Sequence, residues 1–167
     1  MKLITLILVV LIVSCKPQNN VGEIQESGTI FLVRHAEKAD DGTKDPPLTT
    51  EGENRADKLV ELLIEKDIKA VYSTDFKRTR NTGFPLADTL GLFVNLYDPS
   101  SESFAEEIMK EASDANLLVV GHSNTTPILV NKILGKEKYR QLDDSDYGKL
   151  FVCEKDGDAF DCRVVEF

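Results

Sequence analysis

The chain has 167 residues, of which 41% are hydrophobic and 29% charged, and this composition fits one globular domain of ordinary size. Its formal net charge of −9 argues against nucleic acid as a partner. An anionic ligand would have to meet positive charge concentrated in one place, so an arginine beside a reactive residue is informative.

The first residues have the pattern of an export signal. Lys2 gives a basic start, and the apolar run 4–13 is too short to span a bilayer. Ile-Val-Ser-Cys at 12–15 resembles the lipobox of bacterial lipoproteins, which implies cleavage before Cys15 and its lipidation. A simple signal peptide with an incidental cysteine is the alternative.

This pattern predicts three parts of the chain and a location. We expect a lipoprotein signal peptide over 1–14, a polar tether over 15–28 and one domain over 29–167. The mature protein would be anchored by lipid in the bacterial cell envelope, on the periplasmic or surface face. Which membrane holds it stays open.

From residue 29 onward, short apolar runs alternate with amphipathic stretches. This rhythm is typical of a three-layer α/β/α domain with a mostly parallel sheet. Candidate helix starts and caps are Thr49, Thr50 with Glu53, Thr74-Asp75, Ser101 or Ser103, and Asn124. The predicted strands cover 29–33, 68–72, 94–97 and 117–120, and the predicted helices cover 50–65, about 76–90, 104–111 and 125–134.

The C-terminal segment predicts a β-hairpin, because strand-like runs over 150–154 and 159–166 flank a turn signal. If residues 157 and 158 form the loop, Cys153 lies opposite Cys162 and a disulfide can form in an exported domain. If residues 156 and 157 form it, the register shifts and the geometry is poor. Two buried free thiols are the other possibility.

Four residues capable of binding an anion follow predicted strands. Arg34 and His35 come after the first strand, Arg78 comes about a helical turn after the second, and His122 follows the strand 117–120. The carboxyl ends of parallel strands share an edge, where ligands bind. Either histidine alone could be an ordinary turn residue, but the chain has only two and both lie here.

Four sequence segments extend this pattern. They read Arg-His-Ala-Glu at 34–37, Leu-Thr-Thr-Glu-Gly-Glu-Asn-Arg-Ala at 48–56, Val-Tyr-Ser-Thr-Asp-Phe-Lys-Arg-Thr-Arg-Asn-Thr at 71–82, and Val-Val-Gly-His-Ser-Asn at 119–124. In this order they resemble the motifs of the histidine phosphatase superfamily, which includes the cofactor-dependent phosphoglycerate mutases. Ala36 stands where the family usually has glycine, and Arg55 where it usually has glutamine.

The resemblance implies a phosphoglycerate mutase-like fold and a phosphatase with a histidine nucleophile. Neutral His35 would attack phosphorus and become a phosphohistidine, while Arg34, Arg78 and His122 hold the phosphate oxygens. Such chemistry needs neither a metal nor a cofactor. The substrate would be a phosphorylated small molecule or a phosphoprotein, as a phosphomonoester or a phosphoramidate.

The proton donor for the leaving group is the open part of this hypothesis. Asp98 follows a predicted strand and is the first candidate, ahead of Glu102 and Glu37. However, Asp98-Pro99 is also a good turn opener. The short spacing between motifs favours the small phosphatase branch over a mutase-type phosphotransferase, which usually needs lid segments. A non-catalytic phosphate-binding lipoprotein is the alternative from another class, and the oligomeric state stays open.

Overall fold

The structure is a computed structural model that describes residues 28–167. The predicted signal peptide, Cys15 and the tether up to residue 27 lie outside this range. Gly28, which we assigned to the tether, is buried, and a Cβ atom there would lie 1.9 Å from the carbonyl oxygen of Ala115. Gly28 is therefore part of the packed domain. Among residues 28–167, no helix is long and apolar enough to cross a membrane.

A six-stranded sheet forms the centre of the domain, with strand order β3-β2-β4-β1-β5-β6. Neighbours among β1 to β4 are parallel, β5 runs antiparallel to β1, and β6 runs antiparallel to β5. The sheet is thus mostly parallel, as predicted. The strands are β1 Thr29–Arg34, β2 Ile68–Ser73, β3 Val94–Leu96, β4 Asn116–Gly121, β5 Lys149–Asp156 and β6 Ala159–Glu166.

Helices cover both faces of the sheet, because successive side chains of a strand point to opposite sides. In β1, Phe31 and Val33 pack with the apolar side of α1 and α2, whereas Ile30 and Leu32 pack with α3 and α4. This confirms the three-layer architecture. The helices are α1 Thr50–Leu63, α2 Lys77–Leu90, α3 Phe104–Glu111 and α4 Thr125–Leu134.

The helix starts differ in part from the predicted caps. Of the two candidates for the start of α1, Thr49 is the cap and Thr50 is not, and the Thr49 hydroxyl accepts the N–H of Gly52 at 3.1 Å. Ser103 and Asn124 occupy N-cap positions of α3 and α4, but neither side chain makes a capping hydrogen bond. The sequence therefore predicted where these helices begin better than it predicted their capping hydrogen bonds.

The predicted cap of α2 is wrong. The helix begins at Lys77, beyond Thr74-Asp75, and Phe76 occupies the N-cap position without a side-chain bond. The Lys77 N–H instead donates to Asp45 Oδ1 at 2.8 Å, from the loop between β1 and α1. A distant carboxylate thus serves the helix start, and the Thr74 hydroxyl is free for another contact.

β5 and β6 form the C-terminal hairpin, with a loop of Gly157 and Asp158. Cys153 pairs with Cys162 in this register, and the structure joins the two as a disulfide. Gly157 has φ 61°, which a residue without a Cβ atom adopts at low cost. Of the two registers that the sequence allows, the structure therefore has the one that permits the bridge.

Reduction of this disulfide should lower the free energy of unfolding by about 2–3 kcal/mol, because the bridge closes a short loop in the unfolded chain. Urea denaturation of the oxidised and reduced protein measures the difference. A Cys153→Ala/Cys162→Ala variant is the control, since reductant should leave its unfolding curve unchanged. Equal curves for oxidised and reduced wild type would contradict the prediction.

Candidate active site

The carboxyl ends of β1 and β4 bring the two histidines together. The His35 N–H donates to the Gly121 carbonyl oxygen at 2.9 Å, which fixes the end of β1 beside that of β4. The ring centroids of His35 and His122 are 5.5 Å apart. The Phe76 ring lies 5.1 Å from the His122 ring, and Arg78 Cζ lies 4.4 Å from the Phe76 centroid. His35, His122 and Arg78 therefore meet at one site, and Arg34 directly precedes His35 at the end of β1.

His35 is held in one tautomer by the backbone. Its Nδ1 lies 2.7 Å from the Ala36 carbonyl oxygen, which can only accept, so Nδ1 carries the hydrogen and Nε2 carries the lone pair. Alanine is tolerated at position 36 because its φ is not positive. The Ala36 N–H donates to the Thr82 hydroxyl at 2.9 Å, which fixes the chain after the histidine.

Burial keeps both histidines neutral. Burial is the main cause that lowers the pKa of His35 to about 3. The positive charges of Arg34 and Arg78 act in the same direction, and the hydrogen bond to Ala36, which raises the pKa, is outweighed. Burial, followed by the same two arginines, lowers the pKa of His122 to about 4. At neutral pH His35 therefore has a free lone pair on Nε2, as a nucleophile requires.

These low pKa values predict that stability falls in acid. Each histidine has a folded pKa below its ordinary 6.5, so the unfolded chain binds more protons as the pH drops from 6.5 towards 4. For His35 we expect a loss of about 1–2 kcal/mol between pH 7 and pH 5. Urea denaturation at both pH values measures it, with His35→Ala as the control that lacks this part. The same pH dependence in both proteins would contradict it.

Arg34 is held by the loop 143–146, which the sequence motifs do not indicate. Its Nη1 donates to the carbonyl oxygens of Asp143, Asp144 and Asp146, at 2.8, 3.1 and 3.2 Å. Its guanidinium lies 4.1 Å from the Tyr147 ring centroid. Three carbonyls and one aromatic face thus hold the guanidinium beside the histidines. Carbonyl groups exist at every residue, so no sequence pattern indicates this contact.

Two buried donors at the site have no partner. Arg34 Nε and Arg78 Nε are both buried without a hydrogen bond to any residue of the range 28–167. Arg78 Nη1 lies 3.7 Å from Asp45 Oδ1, which leaves most of its donors free. Unsatisfied donors of buried cations are costly, and a phosphate matches the fork of a guanidinium. The arrangement therefore fits a bound anion beside His35 Nε2.

Glu37 is not available as a proton donor. Arg55 Nε and Nη2 both donate to its carboxylate, and the Arg55 Nη2 to Glu37 Oε1 distance is 2.6 Å. Burial is the largest single influence and raises the pKa of Glu37, but the hydrogen bonds and the positive charge of Arg55, with a backbone hydrogen bond and the charge of Arg34, together outweigh it and lower the pKa. Arg55, at the position where glutamine is usual, thus keeps Glu37 ionised.

Asp98 lies in the turn that the Asp98-Pro99 pair predicts. It is exposed, and its Oδ1 accepts the N–H and the hydroxyl of Ser100 at 2.8 and 2.7 Å. These bonds lower its pKa, which disfavours the protonated form that an acid needs. Glu102 is also exposed. Within the described part of the chain, no hydrogen bond links Asp98, Glu102 or Glu37 to either histidine.

The residues 28–167 contain no group of three or more histidine, cysteine, aspartate or glutamate side chains arranged to hold a metal ion.

Solved structures share this fold. The protein histidine phosphatase SixA, complexed with tungstate, superimposes with a TM-score of 0.64 at 19% identity, covering 83% of this chain and 96% of that one. The α-ribazole phosphatase from Shigella flexneri superimposes with a TM-score of 0.63 at 15% identity, covering 83% of this chain and 96% of that one. A mutant phosphoserine phosphatase from Entamoeba histolytica superimposes with a TM-score of 0.64 at 12% identity, covering 81% of this chain and 94% of that one. The fold is thus the phosphoglycerate mutase-like α/β fold of these phosphatases.

Residues 30–99 match the family model of the histidine phosphatase superfamily, branch 1. No curated protein matches the chain. The matched segment contains His35, Arg34 and Arg78, and the structural neighbours are phosphatases. Together these findings support a phosphatase with a histidine nucleophile. More particularly, the segment that matches the histidine phosphatase superfamily makes up less than half of the chain.

Proposed function

We propose that this protein hydrolyses a phosphomonoester or a phosphoramidate through a phosphohistidine at His35, without a metal. One observation carries the proposal. His35 presents a lone pair on Nε2 next to two arginines whose buried Nε atoms lack partners. A phosphate group placed there would receive bonds from both arginines and face the nucleophile.

In the first step, His35 Nε2 attacks phosphorus and the bond from phosphorus to the leaving atom breaks. The electron pair of that bond stays on the leaving oxygen or nitrogen, which takes up a proton. The imidazole becomes a cation that retains its Nδ1–H, and the Ala36 carbonyl stabilises it through the 2.7 Å hydrogen bond. Arg34 and Arg78 stabilise the charge on the phosphoryl oxygens.

In the second step, water attacks phosphorus and the bond to Nε2 breaks. Its electron pair returns to the ring, which becomes neutral, and the water loses a proton as inorganic phosphate forms. Arg34 and Arg78 keep their bonds to the oxygens throughout, so one set of donors serves both steps.

The state of the carboxyl groups favours leaving groups that depart readily. Glu37 is ion-paired and Asp98 is held in a turn, so neither is poised to protonate an alkoxide. A phosphoramidate depends less on such an acid, because its nitrogen can take up a proton from solvent before the bond to phosphorus breaks. One structural neighbour is a protein histidine phosphatase, which supports a phosphohistidine protein as one substrate class to test.

Turnover of p-nitrophenyl phosphate in the presence of EDTA tests the proposal. We expect hydrolysis at a rate that EDTA does not change, and a phosphoryl group on His35 in protein quenched at alkaline pH. Tight binding of phosphate with no turnover would favour the non-catalytic binder. Transfer to a second phosphorylated substrate without release of phosphate would favour the mutase-type phosphotransferase.

We also propose that the protein is anchored by lipid at Cys15 in the bacterial cell envelope. Labelled fatty acid should enter the wild-type protein during expression in a bacterium, but should not enter Cys15→Ser. Labelling is read from the protein band after removal of free lipid. Label in both proteins, or in neither, would contradict the lipobox interpretation.

A further inference from the structure

Two threonine hydroxyls connect His122 to the backbone at the start of α2. His122 Nε2 lies 2.9 Å from Thr74 Oγ1, which lies 3.0 Å from Thr79 Oγ1. Thr79 Oγ1 lies 2.8 Å from the Thr74 carbonyl oxygen and 2.9 Å from that of Phe76. Thr74 and Thr79 are only 1% and 0% exposed, so water does not compete for these bonds.

The chemistry of the groups fixes the direction of each hydrogen bond between His122, Thr74, Thr79 and the backbone. A carbonyl oxygen only accepts, so the single hydrogen of the Thr79 hydroxyl points to the backbone. Thr79 Oγ1 can then only accept from Thr74, which uses the hydrogen of the Thr74 hydroxyl. Thr74 therefore offers His122 a lone pair, and the hydrogen between them belongs to Nε2.

A neutral imidazole carries one N–H, so Nδ1 of His122 has none. Nδ1 also has no hydrogen-bond partner among the described residues. A nitrogen without hydrogen cannot donate to a phosphate oxygen and faces it with a lone pair. His122 can therefore contribute a hydrogen bond to a bound phosphate dianion only after it takes up a proton.

We propose that Thr74 and Thr79 are positioning residues that hold His122 as the Nε2–H tautomer, so that phosphate binding is coupled to uptake of one proton at Nδ1. The proposal rests on the proposed function for its ligand. The charged groups facing His122 are Arg34 from β1 and Arg78 from α2, with neutral His35 and the uncharged Phe76 ring. The positive charges of the two arginines oppose protonation of His122 in the empty site. The negative charge of a bound phosphate dianion favours that protonation.

A protonated His122 also supplies the proton that no carboxyl group is poised to give. In the first step the Nδ1 proton passes to the leaving atom, and the pair of the N–H bond remains on Nδ1. In the second step the attacking water returns a proton to Nδ1. The histidine thus ends the cycle in the state that binds phosphate.

The tautomer is measurable directly, because the chain has only two histidines and both are in the site. Protein labelled with ¹⁵N-histidine should show, at neutral pH, one ring with the hydrogen on Nδ1 and one with it on Nε2. His122→Asn should remove the second pattern. Saturation with inorganic phosphate should convert that pattern to a doubly protonated ring. A second Nδ1–H ring, or a neutral His122 with phosphate bound, would overturn the proposal.

Thr79→Val separates tautomer control from a structural role, since valine has nearly the same shape. Without the Thr79 hydroxyl, Thr74 can donate its hydrogen to Nε2 and His122 can carry Nδ1–H. Neutral His122 then binds phosphate without proton uptake. Calorimetry in buffers of different ionisation enthalpy, at a pH where phosphate is already a dianion, should show uptake falling from about one proton towards zero.

Thr79→Ser should restore the uptake. Thr89→Val is the matched control, because Thr89 lies on α2, is exposed, and bonds the Pro85 carbonyl at 2.8 Å away from the site. Equal uptake in wild type and Thr79→Val would overturn the proposal. Absence of phosphatase activity would refute the proposed function alone, since the tautomers are read without substrate.

Discussion

Replacement of His35 with alanine should lower kcat on p-nitrophenyl phosphate by about 10³-fold or more, because the covalent route through phosphohistidine is lost. The only other histidine, His122, contacts Thr74 through Nε2, and its ring centroid lies 5.5 Å from that of His35, so it does not occupy the position of the nucleophile. Steady-state rates with EDTA present measure the effect.

The same variant should still bind inorganic phosphate. Arg34 is held by the carbonyls of the loop 143–146, and Arg78 lies on α2, so neither depends on the His35 ring for its position. Calorimetry should therefore show an affinity close to that of wild type while activity is lost. Equal rates for wild type and His35→Ala would show that His35 is not the nucleophile and would favour the non-catalytic binder.

The location of the site was predictable because it depends on few assumptions. Apolar runs such as 117–120 identify buried strands, and parallel strands place their carboxyl ends together. Arg34, His35 and His122 each follow such a run, so their meeting needs no knowledge of loops or side-chain rotamers. The two faces of the sheet were predictable for the same reason, since alternation along β1 sends residues to both layers.

The contacts that orient these side chains were not predictable. Arg34 is held by backbone carbonyls 109 to 112 residues away, and Lys77 is capped by a carboxylate 32 residues away. Such contacts depend on how loops close over the sheet. The cap assigned to Thr74 illustrates the problem, because a hydroxyl next to a helix start can bond the helix or a neighbour. Here the neighbour is His122.

The hairpin is an intermediate case. The sequence indicated both strands but allowed two loops, because Gly157 fits either as a turn residue. A change of register alters which residue lies opposite Cys153. Local sequence propensity does not decide between the two registers, so the hairpin sequence alone does not predict the disulfide. The contacts of β5 with β1 pair Cys153 with Ile30 and fix which face of the hairpin is buried.

Replacement of Arg78 with lysine should lower kcat/KM by about 10²-fold, and replacement with alanine by about 10³-fold. Lysine keeps the positive charge, but it lacks the planar fork that binds two phosphate oxygens at once. The buried Nε of Arg78 has no hydrogen-bond partner among the described residues, so the wild-type side chain has a donor that a substrate phosphate can accept from. The loss should grow in the order lysine, then alanine, in both kcat/KM and phosphate affinity.

Arg80→Ala is the matched control for these variants. Arg80 lies two residues further along α2, is more exposed than Arg78, and pairs with the exposed Asp75. Exposed ion pairs contribute little, so removal of this charge should leave kcat/KM within about a factor of two. If Arg80→Ala and Arg78→Ala lost activity equally, the effect would come from the general positive potential of α2. A loss confined to Arg78 would instead assign the phosphate contact to the guanidinium stacked on Phe76.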